Sequence, residues 1–100
     1  MDKYNEFEIC SPCGPSYKCG VYGVFVTSGT NTRCVYIGSS KNIFNRVMSE
    51  SHVYRKLYDR ISGFDYLVYT REIICTDYIL RERDLIRKYK PLLNKVRYGA

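Results

Sequence analysis

The chain has no tryptophan, only four phenylalanines and a single histidine, so the aromatic bulk of its core has to come from its eleven tyrosines. It also lacks any apolar run near the ~20 residues a membrane span needs. The opening Met1-Asp2-Lys3-Tyr4-Asn5-Glu6 lacks the charged-then-apolar layout of an export signal. An intracellular, cytoplasmic location without a membrane partner is therefore expected. Five cysteines is an odd number, which argues against a complete disulfide framework. Cys10 and Cys13 have zinc-like spacing, but no second pair follows and the one histidine is remote. Scattered reduced thiols are the expectation. One hundred residues leave room for one domain with a thin core.

Positive charge is abundant but unevenly spread. Of the net +6, residues 41–60 carry five Lys/Arg against two acids, and residues 81–97 carry seven against two. Residues 1–16 carry Lys3 against Asp2, Glu6 and Glu8. A basic surface concentrated in the later part of the chain is the footprint of a polyanion partner, although a merely solvated basic face would look the same.

Residues 1–18 show no clean periodicity and read as an irregular N-terminal arm, with at most a short extended piece, ahead of a domain spanning 19–100. From Gly20 the β-formers Val21, Val24, Phe25 and Val26 lead to the turn residues Ser28-Gly29-Thr30-Asn31, and Cys34-Val35-Tyr36-Ile37 follows as a second strand. A turn centred near Gly29 sets Tyr22 opposite Tyr36 on one face; a one-residue slip turns one of them away. Ser39-Ser40 offers a cap for a helix from Lys41 to Ser49, and a second helical piece covers Val53 to Asp59. Phe64 to Thr70 alternates as a third strand. A last helix, capped by Thr76, runs to about Lys90 and stops at Pro91. The order ββααβα predicts an α+β fold, a small antiparallel three-stranded sheet flanked by helices.

On that last helix Tyr78, Ile79, Leu85, Ile86 and Tyr89 cluster around Glu82, which falls in the middle of the apolar stripe. A carboxylate placed there needs a cation, a hydrogen-bond network or a proton. An ion pair with Arg46 or a tyrosine hydrogen bond would satisfy it, and so would a functional role.

Five elements recur at fixed spacing: Gly20-Val21-Tyr22, Tyr36-Ile37-Gly38, Arg46 ten residues after Tyr36, Glu82, and Asn94 closing the run from Leu85 through Pro91. In this pattern the chain resembles the GIY-YIG nuclease superfamily over about three quarters of its length. Val21 stands where the family often has Ile, and the gap between the tyrosines is a few residues longer. The resemblance implies a metal-dependent DNA endonuclease that hydrolyses phosphodiesters with one Mg²⁺ or Mn²⁺ held by Glu82. Arg46 would hold the scissile phosphate, Tyr22 and Tyr36 would orient the attacking water, one of them as general base, and Asn94 would brace the site. The family often places His or Tyr shortly after the arginine; here Glu50 is four residues on and His52 six. His52 reads as a surface histidine or as a proton carrier or phosphate contact. Ser39, Ser40 and Lys41, ahead of a helix start, and Arg55 and Lys56 are further candidate contacts to DNA. Six residues follow Asn94, so the format resembles small phage or mobile-element nucleases acting alone, or as a homodimer for double-strand cleavage. A branched-DNA or repair nuclease, and a non-catalytic nucleic-acid-binding module that keeps the fold, are the alternatives.

Overall fold

A computed structural model describes residues 4–10, 14–49, 52–63 and 65–94. Cys13, Glu50 and Phe64, which figure in the sequence reading, lie outside them. Strands β1 (Glu8–Ile9), β2 (Gly20–Ser28), β3 (Asn31–Ser40) and β4 (Leu67–Ile74) form one antiparallel sheet in the order β1-β4-β2-β3. The helices are α1 (Ile43–Val47), α2 (Val53–Ile61) and α3 (Tyr78–Tyr89), and a 3-10 turn covers Leu92–Asn94.

The sheet thus has four strands rather than the three expected from sequence. The extra strand is the short extended piece within the first eighteen residues, where Glu8 pairs Glu72 and Ile9 pairs Arg71. No alternation announces it, because the segment is anchored by Tyr4 and Phe7 on either side of a tight turn, Phe7 N–H donating to Tyr4 O at 2.9 Å. Both rings are buried, and Tyr4 Oη accepts the Cys34 N–H at 3.1 Å. Boundaries move elsewhere too. The cap of α1 is Asn42, whose side chain accepts from Asn45 N–H, not the Ser39-Ser40 pair. Asp77 rather than Thr76 opens α3.

The β2–β3 hairpin turns on Gly29 and Thr30 between the paired residues Ser28 and Asn31, with Gly29 at φ +60°. Pairing then runs regularly to Phe25 opposite Cys34 and resumes with Val24 opposite Tyr36, leaving Val35 as an inserted bulge residue. Side-chain direction alternates along a strand, so the insertion has a large consequence. Were Val35 instead paired in the regular ladder, Tyr22 would face Ile37 and Tyr36 would point to the other face. With the insertion Tyr22 pairs with Gly38, and Tyr22 and Tyr36 share a face as diagonal rather than direct neighbours. The directly opposed tyrosines expected from the turn are corrected to this diagonal pair.

Two layers of side chains result. On the α3 side, Val21, Phe25, Cys34, Ile37, Leu85 and Ile86 pack with Tyr4 and Phe7. Cys34 and Ile37 are three apart and reach the same side only because of the bulge. On the other side Tyr22 packs with Ile43 and Val47, flanked by Tyr36, Met48 and Tyr54. The stripe on α3 is narrower than its sequence implies: Leu85 and Ile86 are buried, while Ile79 and Leu80, each 62% exposed, face outward in the first turn.

Candidate active site

The glycines of the two tripeptides serve close approach. A Cβ on Gly38 would sit 2.5 Å from Tyr22 Oη and 2.6 Å from its Cζ, so the tyrosine ring occupies the space above its strand partner. A Cβ on Gly20 would collide with the Ile73 carbonyl oxygen on β4. Tyr22 is held against Tyr36, ring centroids 6.2 Å apart, and against His52 at 5.3 Å. Tyr36 and His52 meet edge to face at 5.7 Å.

Tyr22 Oη and His52 Nε2 lie 2.7 Å apart. Both residues are buried, Tyr22 to 1% exposure and His52 to 6%, which corrects the reading of His52 as a surface group. The other imidazole nitrogen, Nδ1, accepts the Tyr54 N–H at 3.0 Å, making His52 the N-cap of α2. Burial pushes the Tyr22 phenol well above its usual pKa, and the neighbouring Tyr36 adds to this; the Arg46 guanidinium beside the hydroxyl pulls the other way. Burial lowers the His52 pKa to about 4, with the Arg46 charge contributing. Arg46 itself is exposed on α1, on the solvent rim of the buried pair.

Glu82 is half-buried, and its Oε1 accepts from Ser39 Oγ at 2.7 Å. Among the described residues its stripe position is satisfied by this serine, neither by an ion pair with Arg46 nor by a tyrosine. Glu82 nevertheless lies near enough for its charge to act on Tyr22. Asn94 is buried to 1% and binds one residue twice: Oδ1 accepts Ile37 N–H at 2.7 Å and Nδ2 donates to Ile37 O at 2.9 Å. It completes the outer edge of β3 beside Tyr36, where a strand would otherwise leave both groups unpaired.

The structure therefore gathers Tyr22, Tyr36 and His52 with Arg46 at their rim, while Asn94 braces the strand behind them and Glu82, on α3, lies near enough for its charge to reach Tyr22. The outlying candidates are not gathered in the same way. Ser39 is engaged by Glu82, and Ser40 Oγ donates to Asn42 O and accepts Asn42 N–H. The first amides of α1 are also occupied, Ile43 N–H by Lys18 O and Phe44 N–H by Ser16 O, which removes the helix start as a phosphate cradle. Lys41 and Lys56 are exposed and Arg55 is half-buried.

Among the described residues no three His, Cys, Asp or Glu side chains converge as a metal cage. The single carboxylate of Glu82 is the group that fits a divalent ion here. Mg²⁺ keeps most of its waters and takes one or two carboxylates, so a lone, partly open glutamate suits it. No described helix is long and apolar enough to cross a membrane.

No family model matches the chain, and no solved structure does. The chain is similar to UvrABC system protein C of Bacteroides thetaiotaomicron, 37% identical over 83 residues that cover 77% of this chain and 13% of that protein. It is similar to UvrABC system protein C of Pediococcus pentosaceus at 34% over 84 residues, 78% of this chain and 14% of that protein. The chain thus spans about a seventh of the length of the curated relatives it matches.

Proposed function

We propose that this chain is a nuclease domain of the GIY-YIG type that hydrolyses phosphodiester bonds in DNA. The observation that carries the reading is the grouping of two tyrosines and an arginine from β2, β3 and α1, with a half-buried glutamate on α3 whose charge reaches Tyr22. The likeness to UvrABC system protein C supports it, and favours the repair-type endonuclease over a stand-alone phage-like enzyme.

In this reading Arg46, on the rim, binds the scissile phosphate and offsets the charge that grows on it in the transition state. Tyr36 is half-buried and reaches solvent, so it orients the attacking water; Tyr22, sealed beneath it with a raised pKa, sets the position of Tyr36 and Arg46. Glu82, oriented by Ser39, holds the divalent ion, which when bound supplies Lewis-acid activation at the phosphate. Asn94 keeps β3 straight behind Tyr36. The basic segments 41–60 and 81–97 provide the field that draws the polyanion in.

Supercoiled plasmid incubated with the wild type and with Glu82→Gln, in Mg²⁺ and in EDTA, tests the reading. Cleavage that needs both the ion and Glu82 is the expected result, with the variant slower by at least about a hundredfold. Nicked or linear product reports single- or double-strand cutting. Cleavage that survives EDTA or the substitution, or DNA binding without any cut, overturns the assignment.

A further inference from the structure

A neutral imidazole has one nitrogen that donates and one that accepts. In His52 the accepting nitrogen is fixed by the fold: Nδ1 receives the Tyr54 N–H at 3.0 Å as the cap of α2. Nδ1 therefore carries no proton, and the ring hydrogen sits on Nε2, 2.7 Å from Tyr22 Oη. The hydroxyl oxygen of Tyr22 is the acceptor in this contact, and its own proton points away from the histidine. For His52 to take that proton, its ring hydrogen would have to move to Nδ1, where it would face the Tyr54 N–H and break the helix cap.

We propose that His52 is a positioning residue locked in one tautomer, which donates Nε2–H to Tyr22 Oη and does not carry a proton during turnover. The groups around it agree. Tyr22 on β2 accepts its hydrogen, Tyr36 on β3 meets it edge to face, and Tyr54 on α2 donates to it. The Arg46 charge on α1 opposes a second proton. Among the described residues no carboxylate is one of these neighbours to favour an imidazolium. The consequence for the reaction, which rests on the nuclease reading, is that any proton leaving Tyr22 goes to the solvent side and not through the histidine.

Because the chain has one histidine, long-range ¹H–¹⁵N NMR of the full chain reads this ring without assignment. The expected spectrum shows one protonated and one unprotonated nitrogen, Nε2–H and Nδ1, unchanged from pH 8 down to pH 5. A ring protonated at Nδ1, or one that titrates near its ordinary value of about 6.5, overturns the proposal.

Two variants separate the roles. His52→Asn keeps an oxygen where Nδ1 caps α2 and removes the donor to Tyr22; His52→Gln can place an amide N–H where Nε2 stood and gives up the cap. The expected result is a fall in kcat/KM of about ten- to a hundredfold for His52→Asn, with little loss of melting temperature. For His52→Gln a less stable protein that keeps most of its turnover is expected. Equal loss in both variants marks a proton carrier, since neither amide takes a proton, and sinks the proposal. Full activity in His52→Asn reduces His52 to a cap and sinks it equally. If the wild type cuts no DNA at all, the nuclease reading fails while the NMR spectrum still decides the tautomer.

Discussion

On the α3 side of the sheet the buried groups are chiefly hydrocarbon. Tyr4, Phe7 and Phe25 stack edge to face at 5.0–5.5 Å, and Leu85 and Ile86 close the layer. On the α1 and α2 side the centre is Tyr22, and the buried residue against its hydroxyl is a histidine. The first face has a cation too, but Arg71 is buried and absorbed into the packing, donating to Phe7 O at 2.7 Å and lying over the Phe25 ring. The second keeps its cation, Arg46, at the rim. One sheet thus divides its labour: apolar burial on one side provides the stability that lets the other bury polar groups with raised and lowered pKa values.

The comparison can be broken most severely at Phe25. Phe25→Ala is expected to cost about 3–5 kcal/mol by cavity formation. Urea denaturation should show that loss, while activity per folded molecule stays near wild type; a selective loss of activity would mean that the two faces are coupled. Asn94→Ala strips both partners from Ile37 and should cost about 2 kcal/mol. Hydrogen exchange at the Ile37 amide reads the change, and turnover should fall with it because Tyr36 is the preceding residue.

Acid sharpens the contrast next. His52 is depressed to about 4 when folded. Between that value and about 6.5 the unfolded chain binds a proton that the native one refuses, so stability falls as pH drops through this window, by about 2 kcal/mol after solvent screening. Glu6 acts in the same direction at lower pH. Its carboxyl is held below its usual range by the Tyr89 hydrogen bond and by Lys88 at 2.9 Å, and this contribution is lost as it protonates. Thermal melts from pH 7 to 4 should show the first loss in wild type and not in His52→Asn. The smallest effect is expected at Lys90, the C-cap of α3 in the left-handed conformation at φ 47°. Lys90→Gly should stabilise by up to about 1 kcal/mol without touching either face, as a rise in melting temperature would show.

The hairpin and the last helix were legible because β-formers, turn residues and a helical apolar stripe are local signals. Glu82 in that stripe was legible for the same reason, since a charge among apolar neighbours stands out at 3.6-residue spacing. What serves the carboxylate was not: Ser39 lies 43 residues away and looked like a helix cap. His52 was misread because its burial comes from Tyr22, thirty positions earlier, and a lone histidine after a loop carries no mark of being enclosed. The short extended piece near the N-terminus gives no sign of joining the sheet, because it is held by two rings and one short ladder rather than by alternation. Arg71 offered no sign of burial at all, as the carbonyl it reaches belongs to that same segment.

Val35 makes β3 a strand with two phases. Counted from the turn, one half-period serves the apolar layer; counted from Gly38, the other serves the tyrosines, and the single extra residue is where the count is reset. Removing that one residue would leave Cys34 opposite Phe25 and Tyr36 opposite Val24 in an unbroken alternation, so the bulge would vanish while both layers kept their side chains.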